Sequence, residues 1–196
     1  MTVESYYVLE SNPNDSVFVN VLIRTIDAAG EVGMMFDLPG RDNLSVDLTR
    51  LTFRERTGRA QIILVDDSTA TVRYLIVAAE SIPDAKKLTI WLSKRLPFRS
   101  LASLQADARR VVGSDPEALV RLALGTSATS DPETLAIFRD GMRSPEPLVR
   151  FRAAEAASLT RWPDLRSDLE QLQVNDPSPE VREIARRGLT TLGWSS

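Results

Sequence analysis

The sequence predicts an α+β protein in two parts: an antiparallel β-domain closed by a helix over residues 1–97, then an array of helices over residues 98–196. Three observations predict it. The chain before Pro83 holds short runs rich in Val, Ile and Phe, separated by turn-forming clusters. After Phe98 the punctuation changes to helix-start signals such as Asp115-Pro116-Glu117 and Asp131-Pro132-Glu133. Finally, one segment occurs twice, from Ser144 and again from Asp176. A repeat of roughly 30 residues built of helical pieces marks a stacked helical array.

Strands are expected at residues 16–26, 32–37, 44–55, 60–65 and 71–78, where β-branched and aromatic side chains suit a pleated surface. Turn signals stand between them: Asn12-Pro13-Asn14-Asp15, Ala28-Ala29-Gly30, Pro39-Gly40-Arg41-Asp42, Thr57-Gly58 and Asp66-Asp67-Ser68. Loops this short join neighbours antiparallel, as a meander or a partly closed barrel with one apolar face. The segment from Pro83 supplies the cover. Asp84 in its first turn and Lys94-Arg95 at its end suit the helix dipole. Leu88, Trp91, Leu92 and Leu96 recur at helical spacing, and Pro97 is placed to stop the helix.

The second part reads as helices over residues 101–112, from Asp115-Pro116-Glu117, 131–142, 146–159, 164–172 and 179–192. The starts at Asp115-Pro116-Glu117 and Asp131-Pro132-Glu133 combine an acidic cap, a proline without an N–H to waste, and a carboxylate near the positive end of the helix. Val149, Ala153, Ala156 and Leu159, with Val181, Ile184, Ala185 and Leu189, form apolar stripes toward a core. Across the repeat, Pro145/Pro177, Pro147/Pro179, Val149/Val181, Arg150/Arg182 and Ala153/Ala185 coincide; a looser copy from Asp115 aligns Pro116, Val120 and Arg121.

The pattern in Pro147-Leu-Val-Arg-Phe-Arg-Ala-Ala and Pro179-Glu-Val-Arg-Glu-Ile-Ala resembles HEAT repeats, particularly the short bacterial type related to phycobilin-lyase repeats. The resemblance extends from the Asp115 copy to the end of the last one, and implies an α–α solenoid whose second helices line a concave face. That family has no common catalytic activity, and fold alone transfers none. In the first part, the strand from Tyr74 running into a helix with a central Trp91 resembles the end of a pleckstrin-homology-like domain. The basic first-hairpin motif of its phosphoinositide-binding members has no counterpart here.

Composition narrows the chemistry. With no cysteine and no histidine, thiolate chemistry is excluded and the commonest general base and transition-metal ligand are missing. Asp66-Asp67 and the pair Asp164/Asp168 are the only carboxylate pairs that invite a metal or acid–base role. Turn formation and helix capping account for both. No enzyme activity, cofactor or metal is therefore expected. No run approaches the roughly 20 apolar residues of a membrane span, and the start of the chain has no secretory signal character, so a cytoplasmic location is expected.

Net charge is −3, yet residues 84–110 hold seven bases against two acids. Lys86, Lys87, Lys94 and Arg95 form a candidate patch for an anionic partner. Arg150 and Arg182 are expected to tie neighbouring turns together, one of them through Asp176. The function expected is a non-enzymatic, protein-binding adaptor or regulatory or inhibitory subunit. Its partner would sit on the concave face at Phe138, Arg139, Met142, Arg143, Leu165, Arg166 and Leu169, with apolar anchors and arginines meeting acids. The alternative is a nucleic-acid-binding protein whose basic stripe joins the linking helix to Arg139 and Arg143. An exposed Trp194 beside Leu189 would suggest a homodimer through the C-terminal end.

Overall fold

In the computed structural model, which describes residues 2–10, 16–45 and 47–193, the chain divides into two units, Met1–Arg99 and Ser100–Ser196. The turn signal at residues 12–15 and Trp194 lie outside the described residues. Phe98 and Arg99 belong with the first unit, just beyond the expected boundary, because both are tied to its first strand. Phe98 bridges Leu9 and stacks on Tyr7 at 5.1 Å between ring centroids, and the Arg99 N–H donates to Val8 O at 2.9 Å.

The first unit is built on one open, all-antiparallel sheet of five strands: β1 (Val3–Val8), β2 (Gly40–Asn43), β3 (Leu48–Arg54), β4 (Ala60–Asp67) and β5 (Val72–Ala79). Their order is β1-β5-β4-β3-β2, so β2 to β5 form an antiparallel meander, of which β3, β4 and β5 fall within expected strands, while β1 joins the far edge beside β5. Among the described residues no pairing closes it into a barrel. Two helices complete the unit, α1 (Ser16–Asp27) and α2 (Ile82–Ser93).

Residues 16–26 are therefore a helix, not the expected strand. A period of two would place Asn20 and Arg24 on the same face as Phe18, Leu22 and Ile26. A helical period separates them: Phe18, Leu22 and Ile26 are buried while Val17 and Val21 are exposed. The amphipathic stripe overrides the β-branched composition. Residues 32–37 form no strand either. A 3-10 turn at Ala28–Val32 ends at Gly33, whose φ of 71° no side-chain-bearing residue adopts cheaply, and only the bridge Phe36 to Glu55 follows. Strand β1 has no counterpart among the expected strands, and β2 occupies part of the expected turn at Pro39–Asp42.

Helix α2 starts as its sequence dictates. Ser81 caps it, accepting from the Asp84 N–H at 3.2 Å, with Pro83 in the first turn. Its stripe of Ala85, Leu88, Trp91 and Leu92 is buried in a core shared with Phe18, Leu22 and Ile26 of α1, Phe53 of β3, Ile62 and Leu64 of β4, and Leu75 and Val77 of β5.

The second unit contains α3 (Leu101–Val111), α4 (Glu117–Leu124), α5 (Pro132–Met142), α6 (Pro147–Thr160), α7 (Arg166–Asn175) and α8 (Pro179–Thr191), with a 3-10 turn at Pro163–Leu165 leading into α7. Helices α4, α6 and α8 are successive neighbours in one layer, and α3, α5 and α7 are successive neighbours in the other. Helix α6 is enclosed by both: Ala153, Ala154, Ala156 and Ala157 are all fully buried. Their small side chains let α4, α5 and α8 approach at once. Glycine does the same on the partner helices. A Cβ on Gly188 of α8 would lie 2.0 Å from Ser158 Oγ, and one on Gly141 of α5 would meet Ala153 Cβ at 3.0 Å. No helix among the described residues is long and apolar enough to cross a membrane.

Candidate protein-binding groove

The end of α5, the start of α6, α7 and the loop into α8 enclose an open groove of 280 Å³. Leu172, Pro177 and the largely buried Met142 are its apolar lining, and Arg143, Gln171 and Asn175 line it as exposed residues. Arg143 follows the last turn of α5, where its N–H meets the carbonyls of Arg139 and Asp140 and the next N–H, that of Ser144, meets Gly141 O. Its guanidinium has no partner among the described residues.

One wall of the groove is a buried ion pair. Arg150 of α6 donates through Nε to Asp176 Oδ2 at 2.7 Å and through Nη2 to Asp176 Oδ1 at 3.0 Å. Its Nη1 reaches back to Ser144 O and Pro145 O, both at 2.9 Å. Asp176 also accepts the Ser178 N–H at 2.9 Å, which fastens the loop before α8. Burial alone would raise the Asp176 carboxyl. The Arg150 hydrogen bonds, the Ser178 N–H and the charges of Arg150 and Arg182 outweigh that and hold it below the usual carboxylate range. The pair is thus a joint between consecutive repeats, the tie that the sequence suggested for Asp176 and one of the repeat arginines. At Arg182 the same donor pattern recurs, Nη1 meeting Asp176 O at 2.6 Å and Pro177 O at 3.2 Å. In the first copy, Arg121 instead bonds the side chain of Asp115.

The expected contact residues separate into three groups. Phe138, Leu165 and Leu169 are fully buried, and Met142 nearly so, because they fill the space between the two helical layers; as partner anchors they are corrected to core. Phe138 packs near Trp162, whose Nε1–H donates to Ser127 O at 3.0 Å. Arg139 is committed inside the unit, to Asp168 Oδ2 at 3.1 Å and Asp164 O at 2.9 Å. Arg166 is exposed and pairs with Glu170 at 2.8 Å. Of the expected residues only Arg143 remains available in the groove. Gln171 and Asn175 escape a sequence reading, since solitary amides on a helix carry no pattern.

The basic helix α2 divides likewise. Lys86, Lys87 and Lys94 are exposed. Arg95 is engaged: it lies over the Trp91 ring at 4.7 Å and pairs with Glu31 at 2.6 Å. The tempting carboxylate pairs have structural partners. Asp66 holds Arg73, Asp67 accepts the Ala70 N–H at 2.9 Å, Asp164 accepts from Ser130 Oγ at 2.9 Å, and Asp168 holds Arg139. Among the described residues no three acidic groups gather in a way suited to holding a metal ion.

A second polar cluster joins α4 to α6, where Arg152 bridges Glu117 at 2.6 Å and Glu155 at 2.7 Å. Burial pushes the Glu117 carboxyl up despite the adjacent arginine. No protein-family model, curated protein or solved structure matches this chain.

Proposed function

We propose that the second unit is a short HEAT-like solenoid and that the protein is a non-enzymatic adaptor or regulatory or inhibitory subunit, which holds a protein partner in the groove beside Arg143. Two layers of successive helices, with an arginine at the same place in each copy, support the solenoid reading. The observation that carries the binding reading is Arg143 itself, an exposed arginine that lines the groove beside Leu172 and Pro177 with no partner among the described residues. A groove of 280 Å³ that is open to solvent suits one or two side chains of a protein better than an enclosed metabolite, whose clefts run to roughly 300–1,000 Å³. The nucleic-acid alternative has less to stand on, because Arg95 and Arg139 are already neutralised by Glu31 and Asp168.

The test is site-specific photo-cross-linking in the native host. A photoreactive residue at Gln171 is expected to trap one defined protein, and Arg143→Glu to abolish the adduct. The same probe at the exposed Thr190 of α8 serves as the control. Equal adducts from both positions, or none from Gln171, would sink the reading.

A further inference from the structure

The arginine of each repeat has two edges. At Arg150 the Nη1 edge caps the carbonyls of Ser144 and Pro145, and the Nε–Nη2 edge receives the Asp176 carboxylate. At Arg182 the first edge is used identically, on Asp176 O and Pro177 O. Its second edge has no partner among the described residues, and its nitrogens are not sealed from solvent. The carboxylates nearest in sequence make their hydrogen bonds elsewhere. Glu180 lies within the field of Arg182 but bonds the Ser178 Oγ–H, at 2.6 Å, while Glu183 is drawn to Arg186 and Arg187, which pull its carboxyl down to about 2.

We propose that this open edge of Arg182 is a docking point for a carboxylate borne on a loop of a protein partner, received as Arg150 receives Asp176. The inference rests on the protein-binding reading of this unit. Charge and geometry select the occupant. Nε and Nη2 form a planar fork that matches a carboxylate bidentately. Because Nη1 already pins the guanidinium, little side-chain freedom remains to be lost on binding. The neighbouring surface selects a loop over another stacked helix. Ala154, fully buried and one turn before the Ser158 that faces Gly188 of α8, is replaced in the next copy by the exposed Arg186, so a helix seated on α8 as α8 sits on α6 would meet a long charged side chain. An Asp-Pro loop, the element that closes Arg150, needs no such seat.

The probe is the capped hexapeptide Asp-Pro-Ser-Pro-Glu-Val, which copies residues 176–181, beside the same peptide with Asn in place of its aspartate. Both are titrated into the full chain while the arginine Nε–H resonances are followed by NMR. The Arg182 signal is identified by its loss in Arg182→Lys, and the buried Arg150 signal is the internal control. The expected result is a saturable downfield shift at Arg182 with the aspartate peptide, and binding about tenfold weaker with the asparagine peptide, the loss of one charge-assisted bond. No shift at Arg182, or equal shifts with both peptides, overturns the proposal. A shift confined to Arg143 overturns it too while leaving the groove reading standing. Failure of the Gln171 cross-link alongside a shift at Arg182 with the aspartate peptide alone would remove the groove and keep the docking point.

Discussion

Each unit buries an arginine–aspartate pair, but the two pairs hold different things together. In the first unit Arg73 of β5 meets Asp66 of β4 through bonds of 2.5 and 2.8 Å, across a single hairpin, with its guanidinium 5.1 Å from the Phe18 ring of α1. The backbone ladder of β4 and β5 already brings these residues together. In the second unit Arg150 and Asp176 come from different repeats, with no ladder between them. There the pair itself joins one repeat to the next and fastens two loops at once, through Ser144 and Pro145 on one side and Ser178 on the other. A sheet is cross-linked by its backbone and a helical stack by its side chains, so the same pair matters more in the stack.

That contrast breaks most sharply at the aspartates. Asp176→Ala leaves Arg150 buried without its carboxylate and frees the Ser178 N–H, at an expected cost of about 3–5 kcal/mol in urea unfolding. Asp66→Ala is expected to cost less, about 1–2 kcal/mol, because Asp66 is partly exposed and water can replace it. Equal losses would remove the distinction. Acid sharpens it further. The Asp176 carboxyl is lower in the folded chain than in the unfolded one, so its stabilisation is complete above the ordinary carboxylate value of about 4 and is lost as pH falls toward the depressed folded value. Glu117, whose carboxyl is raised, works in the opposite sense. Urea midpoints at pH 6 and pH 3 should therefore fall less in Asp176→Ala than in the parent; an identical fall would exclude the pair as an acid-sensitive joint.

A smaller effect tests how closely the stack is packed. Gly188→Ala places a methyl against Ser158, and since Ser158 Cβ as well as Oγ stands in the way, rotation alone does not relieve it. The expected loss is about 1–3 kcal/mol. Gly30→Ala in the first unit, where nothing lies within 4 Å of the added carbon, is the counterpart expected to change little. Thermal unfolding of the two variants checks both, and a null result at Gly188 would mean that α6 and α8 can separate freely.

How much of this was legible follows from the same contrast. Helix starts are local chemistry, so Asp131 announces α5 and its side chain does accept the Thr134 N–H, whereas the expected cap at Asp115 makes no such bond and the caps Ser81 and Ser178 of α2 and α8 stand outside the start signals the sequence offered. The first strand is not legible because its partner is β5, with every other strand of the sheet intervening along the chain. Helix α1 reads as a strand as long as its Val and Ile count for more than the placement of Asn20 and Arg24. At the candidate site the repeat exposes the arginine joint, yet it does not tell the inner stripe of Phe138, Leu165 and Leu169 from a binding face. Both follow the helical period, and only packing decides which side is covered.

The last prediction turns the repeat against itself. Arg150 and Arg182 occupy the same place in consecutive copies, so sequence alone assigns them equal weight. The structure assigns them unequal weight. Arg150→Ala strands a buried carboxylate and should cost about as much as losing Asp176, roughly 3–5 kcal/mol. Arg182→Ala removes one part-buried and one exposed bond to loop carbonyls and strands no carboxylate, and should cost about 1 kcal/mol. Addition of the aspartate hexapeptide should raise the unfolding midpoint of the parent chain and leave that of Arg182→Ala unmoved, since a ligand stabilises only the state that binds it. If the two alanine variants lose the same stability, Arg182 already has a carboxylate over it, and the open edge is closed within the chain.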